Sequence, residues 1–141
     1  MKKTIQLLFV FALLLFVTPQ INAQDLYNGS GNRIGKIDSD GTVRNSSGNG
    51  VGKINSDGTV RGSAGNSIGK IESDGSVRNS SGNKIGKIES DGTVRNANGS
   101  SIGKVNSDGS VRNASGNSIG KTSVSDRKKV AAIYFFFFQL K

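Results

Sequence analysis

Six glycines, Gly35, Gly52, Gly69, Gly86, Gly103 and Gly120, recur at an interval of 17 residues. Asp40, Asp57, Asp74, Asp91 and Asp108 keep the same interval, as do Arg44, Arg61, Arg78, Arg95 and Arg112. A fixed period outranks every local propensity, because a short unit cannot bury an apolar face alone and must share a core with its neighbours. The unit reads Ile34-Gly35-Lys36-Ile37-Asp38-Ser39-Asp40-Gly41-Thr42-Val43-Arg44-Asn45-Ser46-Ser47-Gly48-Asn49. The end copies are partial. Asp25-Leu26-Tyr27-Asn28 aligns with Thr42-Val43-Arg44-Asn45, and Ile119-Gly120-Lys121-Thr122 keeps the first half of a unit before the pattern departs. Degenerate ends are what capping or ring closure produces.

Each unit predicts two very short strands and two turns. Ile-Gly-Lys-Ile and Thr-Val-Arg-Asn are rich in β-branched residues and bounded by turn formers. Ser-Asp-Gly lies between them in all five complete copies. Taken as a three-residue hairpin loop, it puts Gly41, Gly58, Gly75, Gly92 and Gly109 at the left-handed position that closes a type I turn. The preceding Asp40, Asp57, Asp74, Asp91 and Asp108 are then turn residues too. This loop length pairs Ile37 with Val43, Lys36 with Arg44 and Gly35 with Asn45. Strict alternation places Ile37, Val43 and Gly35 on one face and Lys36, Thr42 and Arg44 on the other. It also sends Ile34 to the second face, where an isoleucine has no evident role. Ser46-Ser47-Gly48-Asn49 has the composition of a second turn.

The repeats end at Asp126-Arg127-Lys128-Lys129, and Val130 to Lys141 follows with Ile133, Tyr134, Phe135, Phe136, Phe137 and Phe138 in succession. A helix here is apolar on all sides and needs burial. At 12 residues it reaches only about 18 Å, short of a roughly 30 Å hydrocarbon layer. Left exposed, a phenylalanine run is an aggregation hazard. Twelve strands at the usual tilt enclose a barrel of radius roughly 12–13 Å, with a lumen about wide enough for one helix. The repeats lack a core and the tail lacks a shell. The fold expected is therefore an all-β, closed, shallow, pseudo-symmetric antiparallel barrel of short hairpins, with a C-terminal hydrophobic helix plugging its centre through Ile133–Phe138. The tail's other reading is an interaction anchor, and closure by five or by six units stays open.

The N-terminus predicts export. Lys2 and Lys3 precede an apolar run from Ile5 to Val17, and Ile21-Asn22-Ala23 supplies a small residue for cleavage. This layout is a secretory signal peptide, and no cysteine follows it to carry a lipoprotein anchor. The division expected is a signal peptide over 1–23, hairpin repeats over 24–125 and the central segment over 126–141. The destination is the periplasm, the outer surface or the medium.

Cysteine and histidine are absent, which removes disulfides, thiolate zinc sites and nucleophile–histidine catalysis. Apolar residues make up 33%, below the roughly 45–50% of ordinary domains. Beyond Ala23 the chain has 17 basic and 10 acidic residues, a balance of +7, which favours anionic partners.

The Ile-Gly-Lys-Ile-x-Ser-Asp-Gly-Thr-Val-Arg repeat, between a signal peptide and an aromatic tail, resembles the bacterial β-flower proteins. The resemblance runs from residue 24 to about 138 and implies a shallow symmetric barrel of radiating hairpins, likened to the tubby C-terminal domain. It implies no established activity and carries no catalytic residue.

Other motifs are weaker. Asp38-x-Asp40-Gly41 resembles a fragment of a calcium loop, but calcium needs six or more oxygens, two copies have Asn55 or Asn106 at the first acidic place, and no terminal Glu follows. Gly48-Asn49-Gly50-Val51-Gly52 lacks the context of a phosphate loop. Lys36 opposite Arg44 repeats as Lys53/Arg61, Lys70/Arg78, Lys87/Arg95 and Lys104/Arg112. Like charges across strands destabilise, so either the acids at Asp38, Glu72 and Glu89 offset them or the row is a candidate anionic-ligand face.

The functional expectation is a non-enzymatic, monomeric, exported scaffold or binding module without metal or cofactor. Its partners would be anionic envelope polymers or lipid headgroups, with no specific nucleic acid. The alternative is a β-solenoid subunit that polymerises into a fibre or adhesin.

Overall fold

The computed structural model describes residues 24–141, so the export signal read over 1–23 lies outside the described residues. Twelve strands follow one another: β1 Gln24–Asn28, β2 Arg33–Ile37, β3 Thr42–Asn45, β4 Gly50–Ile54, β5 Thr59–Gly62, β6 Ser67–Ile71, β7 Ser76–Asn79, β8 Lys84–Ile88, β9 Thr93–Asn96, β10 Ser101–Val105, β11 Ser110–Asn113 and β12 Ser118–Thr122. Each pairs with its sequence neighbours, and β1 pairs antiparallel with β12 through Leu26↔Thr122, Tyr27↔Lys121 and Asn28↔Gly120, closing a barrel. Closure leaves none of these strands with an unpaired edge, which overturns the open solenoid. Six hairpin units close the ring, so the closure is six-fold.

Two kinds of turn hold the ring. Ser39-Asp40-Gly41 is a three-residue loop in which Gly41 N–H donates to the Asp38 carbonyl at 3.0 Å and Asp38 N–H to the Thr42 carbonyl at 2.8 Å. Gly41 has φ +91°, a conformation that costs a side chain dearly. The register is the one this loop length dictates: Gly35↔Asn45, Lys36↔Arg44, Ile37↔Val43. The opposite rim uses the same geometry, with Gly48 at φ +87°. There Asn45 Oδ1 also accepts the N–H groups of Ser47 and Asn49, at 3.1 and 3.0 Å. This rim carries six turns and the Ser-Asp-Gly rim carries five. The sixth place on the latter is where the chain enters at Gln24 and leaves after Thr122.

One inward side chain per strand forms the main core layer. These are Leu26, Ile37, Val43, Ile54, Val60, Ile71, Val77, Ile88, Val94, Val105 and Val111, all buried, with Thr122 in the twelfth place. The buried Thr122 hydroxyl is satisfied, donating to the Asp25 carbonyl at 2.9 Å and accepting from Val124 N–H at 3.1 Å.

Ile34 corrects the alternation argument. Every pairing across the six-turn rim contains a bulge. Leu26 opposes Gly35 while Tyr27 opposes Arg33, so Ile34 is the extra residue. Val51, Ile68, Ile85, Ile102 and Ile119 are skipped in the same way. A bulge re-aims its side chain. Ile34 is thereby turned inward, 5% exposed, and its equivalents pack against the core.

After β12 the chain crosses Val124 and starts a helix, α1 (Arg127–Ala131), capped by Asp126, whose Oδ1 accepts Lys128 N–H at 3.0 Å. α1 runs into a π-helical segment, Ala132–Phe137, and Phe138 leaves it extended. Val130, Ala131, Ala132 and Ile133 are at most 1% exposed, inside the ring. The aromatics beyond them are seated one per unit. Tyr134 lies on Gly120, Phe135 on Gly103, Phe136 on Gly86, Phe137 on Gly69 and Phe138 on Gly52, with Leu140 on Gly35. In each case the side chain sits against the place where a Cβ on the glycine would be.

The π-helix has a geometric reason. Twelve strands make six units, about 60° apart in a closed ring. An α-helix advances about 100° per residue and would outrun the units. The looser i→i+5 winding turns less per residue and comes nearer to the step from one glycine to the next, with Phe138 reaching Gly52 from extended backbone.

Candidate functional site

The outer wall carries the chain's densest charge pattern. Around the ring one row runs Lys36, Arg44, Lys53, Arg61, Lys70, Arg78, Lys87, Arg95, Lys104, Arg112 and Lys121, one member from each strand from β2 to β12, with Arg33 and Lys84 as second cations on β2 and β8. Within each unit the lysine stands directly opposite the arginine. Each repeat arginine also donates through Nη1 to a turn carbonyl on the six-turn rim, those of Gly48, Gly65, Gly82, Gly99 and Gly116, at 2.9–3.2 Å. That bond holds the guanidinium along the wall.

Three units set an acid against these cations. Arg44 Nε donates to Asp38 at 2.7 Å, Arg78 to Glu72 at 2.9 Å and Arg95 to Glu89 at 2.9 Å. Asp38 also takes Lys36 Nζ at 3.4 Å, so one carboxylate bridges the pair. The hydrogen bond from Arg44, helped by Lys36, holds the Asp38 carboxyl below its usual range against a smaller opposing effect of burial. At these exposures each bridge contributes about 0–1 kcal/mol. The other two units have Asn55 and Asn106 instead. There Arg61 and Arg112 are exposed, whereas Arg44, Arg78 and Arg95 are half-buried.

The turn acids are engaged locally. Asp40, Asp57, Asp74 and Asp91 each accept the N–H two residues on at 2.9 Å, and that bond lowers their pKa values. Asp108 does the same with Ser110, whose hydroxyl is the larger cause. The fragment that resembled a calcium loop therefore has Asp38 on cations and Asp40 on its own turn. Gly48 of the glycine-rich stretch closes a turn, and Gly52 lies beneath Phe138.

The tail divides between the two rims. Near the Ser-Asp-Gly rim Lys128 Nζ donates to the Ser73 carbonyl at 2.7 Å. Near the other rim Tyr134 donates its hydroxyl to the Tyr27 carbonyl at 2.7 Å, and burial pushes its pKa up to about 12. A cavity of about 310 Å³ opens between Ile34, Ile119, Ile133, Tyr134, Phe138 and Leu140, where the aromatic circuit meets its own start. No described helix is long and apolar enough to cross a membrane.

A closed ring of 17-residue hairpins around an aromatic tail fits one family, the 5-fold beta-flower protein, whose model matches residues 23–139. The chain belongs to that family. No curated protein and no solved structure matches it. In this β-flower protein the described repeats are six around the ring, and the Ser-Asp-Gly turns number five. Sequence reasoning missed two parts of the site. The asparagines that organise the six-turn rim were visible as Asn28, Asn45, Asn79, Asn96 and Asn113, with Gly62 in the remaining place. The arginine anchoring to turn carbonyls had no signal of its own.

Proposed function

We propose that this β-flower protein is a non-enzymatic, monomeric binding module, exported to the periplasm, the outer surface or the medium, that holds anionic envelope polymers on its outer wall. The observation that carries the reading is the ring of cations, at least one on each of eleven consecutive strands, with the repeat arginines tethered to turn carbonyls. A rigid array of this kind attracts polyanions by summed potential rather than by any single contact. Export rests on the Lys2–Ala23 layout. The closed ring supports a monomer, since β1 and β12 cover each other's edges. Lipid headgroups are the second class of partner with suitable charge.

Retention on immobilised polyphosphate tests the wall. Binding should be present at low salt and fall steeply as salt screens it. Absence of retention at low salt, or retention indifferent to salt, overturns the reading. Export is checked by the intact mass of the released protein, which should begin at Gln24; a mass retaining residues 1–23 refutes it.

A further inference from the structure

The wall contains its own template for a ligand. In the β2–β3 unit the Asp38 carboxylate sits between Lys36 Nζ and Arg44 Nε, at 3.4 and 2.7 Å. Glu72 and Glu89 reach the arginine of their own units in the same way, at 2.9 Å each. The β4–β5 unit keeps Lys53 opposite Arg61, and the β10–β11 unit keeps Lys104 opposite Arg112. In both, the residue at the acid's place is an amide. Asn55 brings no negative charge, and Asn106 turns its Nδ2 to Ser110 Oγ at 2.9 Å. Each arginine is held along the wall by its Nη1 bond, to the Gly65 and Gly116 carbonyls at 2.9 Å. Among the described residues, no carboxylate forms a salt bridge with Arg61 or Arg112. The acid nearest Lys53 is Asp40, 3.9 Å away on the neighbouring unit.

We infer that Lys53/Arg61 and Lys104/Arg112 are two carboxylate-binding clamps, in which an external carboxylate docks beside the amide and supplies the negative charge that Asp38 supplies in its own unit. This rests on the reading of the wall as a polyanion surface and deepens it. The ligand class is a carboxylate-bearing polymer, because the occupant seen in the filled units is a carboxylate. Arginine Nε beside an opposed ammonium offers it charge-assisted hydrogen bonds on two sides. β4 and β10 are six strands apart in a ring of twelve, so the clamps face opposite directions. One molecule can therefore hold two polymer strands, and its avidity for a dense polymer exceeds that of either clamp.

The experiment uses the exported chain with fluorescent poly-L-glutamate as the probe. Asn55→Asp with Asn106→Asp fills both clamps with a tethered carboxylate already tolerated at position 38. Ser63→Asp with Ala114→Asp makes the same charge change at exposed turn positions. The clamp variant should bind about tenfold more weakly than wild type, and the control variant less than about threefold. Glu72→Gln with Glu89→Gln, which empties two further clamps, should tighten binding and raise the stoichiometry. Equal losses in the clamp and control variants overturn the inference. Polyphosphate retention separates the two levels: if it persists while the clamp variant behaves as the control, the clamps fail and the wall reading stands. If retention is absent in wild type, the wall reading itself fails.

Discussion

The seating of Phe136 on Gly86 can be tested by adding one methyl group. In Gly86→Ala the new Cβ would stand 2.5 Å from both Cε1 and Cζ of Phe136 and 2.5 Å from the Arg95 carbonyl oxygen. Carbon atoms in contact rest at about 3.5–4.0 Å, so ring or strand must retreat by roughly an ångström. Overpacking of this kind costs about 1–3 kcal/mol, and replacing a strand glycine returns about 0.5–1 kcal/mol of chain entropy. The net loss expected is about 1–2 kcal/mol. Phe136→Leu removes the ring edge that collides. Gly86→Ala should then cost about 1 kcal/mol less in that background, the Arg95 contact accounting for what remains. Phe137→Leu is the control, because Phe137 rests on Gly69, and its coupling to Gly86→Ala should stay below about 0.5 kcal/mol. Urea melts of the single and double variants, compared at constant m, give the cycle. Equal coupling to Phe136 and Phe137 would refute the one-ring-per-glycine arrangement.

Truncation after Lys129 removes Val130, Ile133 and Phe138, each worth about 1.5–3 kcal/mol when buried, together with four half-buried rings. Circular dichroism should show an unfolded or aggregated chain, and a cooperative near-wild-type melt would mean the ring stands without its filling. Gly75→Val forces a β-branched residue to φ +89° and directs its Cβ at the Ile88 carbonyl. It should lower stability by about 1–3 kcal/mol, against less than about 0.5 for Ser73→Ala; similar losses from the two would contradict the turn geometry. Acid should also destabilise the ring. The turn aspartates and Asp38 have folded pKa values below their unfolded ones. The folded state therefore binds fewer protons, and the stability they give is present above about pH 4 and lost as pH falls through the folded values. Asp74→Asn should flatten that part of the Tm–pH curve, and an unchanged curve for variants at all six positions would refute the assignment.

The sequence made much of this fold legible because its strongest signals were geometric. Ser-Asp-Gly prescribes a loop length, the loop length prescribes which residues face each other, and Gly35 facing inward creates room that only the tail can fill. Ile34 was misplaced because alternation holds only for an unbroken ladder, and a bulge leaves no mark beyond one more β-branched residue. The ring-by-ring seating of Tyr134 to Phe138 was hidden for a different reason. It depends on the winding of the tail coming close to the angular step between units, and neither can be read from composition or period. On the wall, the spacing of Lys36 and Arg44 showed that cations would face each other. It could not show that Nη1 of the arginine would be held by the next turn, which leaves Nε to choose between Asp38 and an outside anion.

The seating of the tail also constrains how such a chain can change over generations. Duplication of a 17-residue unit is the easiest way for a repeat protein to grow, yet here a seventh unit would arrive with a glycine that no tail side chain meets. Loss of a unit would strand an aromatic ring without a seat. The tail thus acts as a tally of the units, and repeat number can drift only in step with the number of large residues after Ile133. In an open array length is free to vary; in this ring it is fixed from the inside.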